Sequence, residues 1–166
     1  MGLDITAYSH VKKLAKSCSD EDLEDYEACC KHQHIRARVV PDFADRLPSG
    51  AGCYKSTPKT KEHRFPAGSY SYYNAWRTRL SQIILNVPAE IVWHNLEEYA
   101  NQPFFELIYF SDAEGTMGPA ASKRLYETFV EFREMVQKED EYFRRLYDDM
   151  TEAFKLGAQH GLVQFH

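Results

Sequence analysis

Apolar and polar residues alternate at the start of the chain, with Leu3, Ile5 and Ala7 set against Asp4, Thr6 and Tyr8. A period of two sends one set to each face of a strand, so residues 3–9 read as a half-buried β-strand. Ser19, followed by Asp20, Glu21 and Asp22, has the character of a helix N-cap and an acidic first turn. With Leu23, Tyr26 and Cys30 on one face, it predicts a short helix over 20–31. Alternation returns in Ile35, Ala37 and Val39, against Arg36 and Arg38, until Pro41 stops it. This predicts a second strand over 35–40. Residues 41–62 are rich in Pro and Gly and read as loop, with a short edge strand at 53–57.

From Gly68 the period changes. Ser69 or Ser71 is placed to cap a helix, and Tyr73, Trp76, Leu80, Ile83 and Ile84 make one apolar stripe along it. Pro88 and Glu90 suit the first turn of a further helix running to about Tyr99. Residues 104–110 are nearly all apolar and must be buried, as a short helix or a strand; periodicity leaves that choice open at this length. Residues 111–119 read as a loop, and Gly118 and Pro119 as the N-cap and first residue of a helix carrying Leu125, Phe129, Phe132 and Val136. A last helix carries Phe143, Leu146, Tyr147, Met150, Phe154 and Gly157, with Gly161 as its C-cap. Residues 162–166 are strand-like. Together these elements predict an α+β fold: a single helix-dominated domain over 1–166 with a small, mainly antiparallel sheet. That sheet is expected to contain the first strand, the 35–40 strand and the C-terminal tail.

Composition narrows the function classes. Hydrophobic residues make up 43% of the 166 and aromatics 14%, enough for one core in which rings supply much of the volume. The net charge of −5 excludes a general nucleic-acid binder, which needs a basic face to displace counterions, but leaves room for a local basic pocket. The first residues lack the basic and apolar regions of a signal peptide, and no apolar run approaches a membrane span. A membrane partner is therefore not expected, and Cys18, Cys29, Cys30 and Cys53 read as reduced cytosolic thiols. The opening Met-Gly-Leu-Asp-Ile-Thr formally fits a myristoylation pattern, but the strand alternation accounts for the same residues.

Three groups of residues carry candidate chemistry. Around the helix after Gly68, Arg64, Ser69, Tyr70, Tyr72 and Arg77 would form a ligand site. A tyrosine would stack on a flat ring, while the arginines and the helix start would hold phosphate. The competing reading is an ordinary core helix, which already accounts for Tyr73, Trp76 and Leu80. Second, Asp112 and Glu114 beside Gly115 would serve as an acid/base pair or hold a divalent cation, if the protein is an enzyme; otherwise they sit in a solvated loop. Third, Cys29, Cys30, His32 and His34 are close in sequence, but their spacing does not match a zinc site, so no metal is expected. No phosphate-binding loop, dinucleotide fingerprint or nucleophile elbow is present. No cofactor is indicated, and His10, His63, His94 and His160 have no readable partner.

Several phrases then act together: Met-Gly-Leu-Asp-Ile-Thr-Ala-Tyr-Ser at 1–9, Ala67-Gly68-Ser69-Tyr70-Ser71 with Tyr73-Asn74 and Trp76-Arg77, and Phe105-Glu106-Leu107-Ile108. Phe110-Ser111-Asp112-x-Glu114-Gly115, Gly118-Pro119 and the terminal Phe154-x-x-Gly157-Ala158-x-x-Gly161-x-Val163-x-Phe165-His166 complete the set. In these the chain resembles a family of small proteins from bacteriophages and prophages, from end to end. The resemblance implies phage origin and the cytoplasm of a bacterial host, and supplies no reaction. The expected function is that of an accessory protein binding a host protein or a nucleotide-like small molecule, with a bacterial defence system as the target. Two alternatives stay open: a small hydrolase using Asp112 and Glu114, and an acidic protein–protein inhibitor acting through residues 20–25.

Overall fold

β1 (Gly2–Tyr8) is the strand on which the architecture turns. Its Leu3, Ile5 and Ala7 are completely buried, as the alternation requires. The computed structural model describes residues 2–14 and 34–166. In it β1 pairs on one side with β5 (Glu62–Ser69) and on the other with β7 (Leu162–Phe165), which pairs in turn with β6 (Gly115–Met117). The sheet is antiparallel throughout, in the order β5-β1-β7-β6. Ile5 stands opposite both Phe65 and Phe165, so one apolar row crosses three strands toward the core.

A second, three-stranded sheet runs β2-β4-β3, from β2 (Lys12–Lys13), β3 (His34–Ala37) and β4 (Gly52–Lys55). The strand expected at 35–40 is therefore real but shorter, and belongs to this sheet rather than beside β1. Its antiparallel partner is 52–55, so the short strand expected at 53–57 is present, but it pairs on both sides and is the centre of this sheet rather than an edge. Ile35, Ala37, Leu47 and Tyr54 bury Leu162 from the side opposite the main core, with Tyr8, Val11 and Val39 packed around them. Cys53, buried on β4, is disulfide-bonded, so the expectation of reduced thiols fails at this residue. The helix expected at 20–31, together with Cys18, Cys29, Cys30 and His32, lies outside the described residues.

β5 and β6 were not expected as strands. β5 contains Pro66 and Gly68, which read as breakers. It tolerates both because it is the edge strand and because the pairing shifts register between Leu3 and Asp4. β6 is only three residues long and follows a glycine-bearing loop, too short for alternation to register.

The helices cover the main face of the sheet. α1 (Tyr70–Leu85) is capped by Ser69, whose Oγ accepts from the Tyr72 N–H at 3.2 Å. The helix expected to run to Tyr99 breaks at Asn95 into α2 (Ala89–His94) and α3 (Leu96–Tyr99), because Asn95 leaves helical geometry at φ −134°. The apolar run at 104–110 resolves as a helical turn, α4 (Phe105–Ile108), entered through Phe104 at φ +61°. α5 (Pro119–Glu131) starts on Gly118 and Pro119 as expected, and a separate 3-10 turn carries the apolar series on to Val136. α6 (Glu141–Ala158) packs on α5 and on β1, β5 and β7. Its cap Asp140 accepts from the Phe143 N–H at 2.9 Å; that bond, then Arg79 at 2.5 Å, hold the carboxyl below its ordinary range. Two buried hydrogen bonds tie the layer together: the Trp76 indole N–H donates to the Phe143 carbonyl at 3.2 Å, and the Tyr147 hydroxyl to the Phe129 carbonyl at 2.7 Å.

Gly161 does not cap the last helix in the expected way. Gln159 is the C-cap, and it is His160, at φ +53°, that takes the left-handed conformation. Glycine is needed at 161 for a different reason: a Cβ there would lie 1.9 Å from the Tyr8 carbonyl oxygen and 2.6 Å from that of Leu156. Backbone on both sides leaves nothing able to give way. Gly161→Ala is therefore expected to destabilise the fold by about 3 kcal/mol or more, read from the urea midpoint of unfolding. A loss under about 1 kcal/mol would contradict this contact.

Candidate functional site

The five residues nominated for a ligand site part company, and Arg77 leaves first. It is 3% exposed. Its Nη1 donates to the Phe110 carbonyl at 2.6 Å and the Ile108 carbonyl at 3.4 Å, and its Nη2 to Asn74 Oδ1. The guanidinium lies over the rings of Tyr73 and Trp93, with centroids at 4.8 and 5.6 Å. Trp93 also donates to the Ile108 carbonyl, at 2.9 Å. Arg77 is thus committed to binding the 108–112 segment to α1 and is closed to a ligand. Its placement in the ligand site fails because an arginine buried beside an apolar stripe has no signature in periodicity.

Asp112 and Glu114 are engaged by different arginines. Asp112 accepts from the Asn74 side-chain N–H₂ at 2.6 Å and lies 3.9 Å from Arg77 Nη2. Glu114 pairs with Arg38 at 2.9 Å. Ser111 Oγ accepts from the N–H groups of both Ala113 and Glu114, which shapes the turn between them. The carboxylate loop therefore does meet the helix after Gly68, through Asn74, Arg77 and Asp112. What forms there is a structural clamp, with Glu114 pulled toward the second sheet.

The other nominated residues remain near the surface. Ser69 is the cap of α1, also 3.1 Å from Ser71 Oγ, and half-buried Tyr70 packs on the core. Arg64 lies exposed on β5, paired with Asp4 at 3.1 Å. Arg64 and Tyr72 line one cleft of about 390 Å³ between β5 and α6. Gly68 positions the Tyr72 ring: at φ +94° it turns the chain from strand to helix, and a Cβ there would lie 2.7 Å from Tyr72 Cδ1.

The opposite wall of this cleft was not read from the sequence. Tyr142, Arg145 and Asp149 of α6 line it, at i, i+3 and i+7, the helical spacing of a single face. This spacing is visible in the sequence, but it is carried by polar residues, on a helix whose periodicity is dominated by its apolar stripe. Asp149 Oδ1 is 3.3 Å from His63 Nε2, giving that histidine the partner it lacked. Tyr72 and Tyr142 are 42% and 75% exposed. Arg145 is exposed and has no ion pair or hydrogen bond among the described residues. The cleft therefore offers two ring faces and one uncommitted guanidinium, with a second, Arg64, held only by an exposed carboxylate.

A larger cleft, of about 650 Å³, lies between the 100–106 segment and α5. Its cations are spent. Arg124 grips the Glu106 carboxylate through Nε, 3.1 Å from each oxygen, and through Nη2; Arg46 is tied to Asp45 and to the Tyr109 carbonyl at 3.3 Å. Among the described residues no group of His, Cys, Asp and Glu is arranged to hold a metal ion, and no helix is long and apolar enough to cross a membrane. No family model, curated protein or solved structure matches the chain.

Two measurements check the clamp. Arg77→Leu strands two carbonyls and the Asp112–Asn74 pair and should cost about 3 kcal/mol in denaturant unfolding; a neutral change would mean the guanidinium is not the tie. Beside it, burial pushes the Tyr73 hydroxyl up from 10.0 to about 12, with Arg77 opposing and Asp112 assisting. The folded value exceeds the unfolded one, so this stability is fully present below pH 10 and is lost as pH rises through 12. Tyr73→Phe should flatten the fall in unfolding free energy across that window. Part of the slope will survive, because burial also raises Tyr147.

Proposed function

We propose that the protein binds a small anionic ligand carrying a flat ring, nucleotide-like in character, in the cleft between β5 and α6. The observation that carries this reading is the pairing of Tyr72 and Tyr142, both exposed, with Arg145, which has no partner among the described residues. Exposed tyrosine faces give up little on stacking, and each stacked base is worth about 1–3 kcal/mol. An arginine without a carboxylate partner donates to a phosphate without first breaking a salt bridge. Ser69 and Tyr70 take supporting roles, as the cap and packing that fix the start of α1 beside Tyr72.

The resemblance to small phage and prophage proteins gives the reading a setting: an accessory protein acting on a host component, with a bacterial defence system as the target. The hydrolase alternative has less support, because Asp112 and Glu114 are drawn to separate arginines. The acidic-inhibitor alternative rests on residues 20–25, outside the described residues.

Isothermal titration with a panel of mononucleotides and dinucleotides, guided by thermal shift, tests the proposal. At least one is expected to bind, with Tyr142→Ala and Arg145→Ala each weakening it about tenfold or more. Both side chains are exposed on α6, so the fold should survive. Absence of any stabilisation across the panel, or unchanged affinity in both variants, would overturn it.

A further inference from the structure

The face of the main sheet turned away from α1 and α6 is apolar where Leu162 meets Ile35, Ala37 and Tyr54. It changes character a short distance along the strands. There the register sets Arg64 opposite Thr6, Thr6 opposite Gln164 and Gln164 opposite Thr116, so one polar row crosses all four strands. Thr6 and Thr116 are each only 3% exposed. They form a floor, and above it lies a cleft of about 300 Å³ between Arg64 on the edge strand and Arg36 and Arg38 from the second sheet.

Hydrogen bonds tie the floor to its surroundings. Gln164 Nε2 donates to the Arg36 carbonyl at 2.7 Å, and Thr6 Oγ1 lies 2.8 Å from His166 Nε2. The Arg38 backbone N–H donates to Thr116 Oγ1 at 3.1 Å. Thr116 is therefore an acceptor already served, and its own hydroxyl proton has no acceptor among the described residues. At the rim, Arg38 holds Glu114 at 2.9 Å and Arg64 holds Asp4 at 3.1 Å. Both pairs are largely exposed, and such pairs have little net strength, so an anion seated between cation and floor displaces the carboxylate at small cost. Glu62 and Glu114 also line the cleft, against three arginines.

We propose that this cleft is a second binding site, for a small molecule bearing an oxyanion, either phosphate or carboxylate. Arg38 and the Thr116 hydroxyl are its principal donors, and Arg64 closes on it from the edge strand. A bound oxyanion gives the Thr116 proton the acceptor it lacks and meets the guanidinium in charge-assisted geometry. The volume fits a compact metabolite at the small end of ligand pockets. The site is distinct from the tyrosine cleft: the two share Arg64 and no other residue.

The test is a titration of isotope-labelled protein followed by NMR, with inorganic phosphate in one series and succinate in another. Shifts are expected at Thr6, Thr116 and Gln164, saturating with phosphate if the site takes phosphoesters and with succinate if it takes carboxylates. Arg38→Gln, at an exposed side chain, and Thr116→Val, close in size, should each weaken the bound anion about tenfold. Tyr142→Ala should leave it unchanged, which separates this site from the one proposed above. The inference is overturned if neither anion moves those signals at tens of millimolar, if both floor and rim variants titrate like the parent, or if Tyr142→Ala abolishes the shifts.

Discussion

A guanidinium with almost no access to water is the constraint that organises this molecule. Arg77 is stable in the interior only because two main-chain carbonyls, an amide oxygen and two ring faces receive it, with Asp112 close by. Those receivers come from three separate stretches of chain. The helix that carries Arg77, the Trp93 helix and the 108–112 segment are thereby fixed to one another. The last of these leads within a few residues into β6, so the position of an edge strand in the main sheet depends on a charge buried in a helix. Loss of the guanidinium would release the segment as well as a contact.

With Arg77 committed to this role, functional weight falls on groups the fold does not consume. Most arginines here are held by carboxylates: Arg38, Arg46, Arg64, Arg79, Arg124 and Arg133 all are. Arg144 and Arg145 have no such partner among the described residues, and of the two it is Arg145 that lines the cleft with the exposed rings of Tyr72 and Tyr142. The outer sheet face stands out for the opposite reason: its polar residues are buried where apolar ones would normally be.

Much of the fold was legible in the chain. Strict alternation located β1, the cap at Ser69 located α1, and the 3- and 4-residue spacings located α5 and α6. What escaped was decided by non-local contacts. The 35–37 strand alternates as cleanly as β1, yet alternation names faces and not neighbours, so its pattern suits a place beside β1 although it pairs with β4 in the second sheet. β5 was hidden by Pro66 and Gly68, which its place at the edge makes tolerable. Of the nominated site residues, Arg64 and Tyr72 do share a cleft, while Arg77 and Asp112 serve the clamp. The other half of the cleft, Tyr142 and Arg145, lay seventy residues further on, and only the packing of α6 against β5 brings it into place.

That β1 lies inside the sheet has a consequence for how the protein is made. Its two neighbours come from residues 62–69 and 162–165, and Asp4 exchanges hydrogen bonds with His166 at 2.8 and 3.0 Å. During synthesis the first strand can take β5 early, but its other edge stays open until nearly the whole of this sequence has emerged. A nascent chain in that interval exposes unpaired backbone beside Leu3, Ile5 and Ala7, the combination most prone to pairing with another chain. The ordering of residues along the polypeptide thus makes the β1–β7 pairing a contact of high sequence separation, the kind that forms slowly.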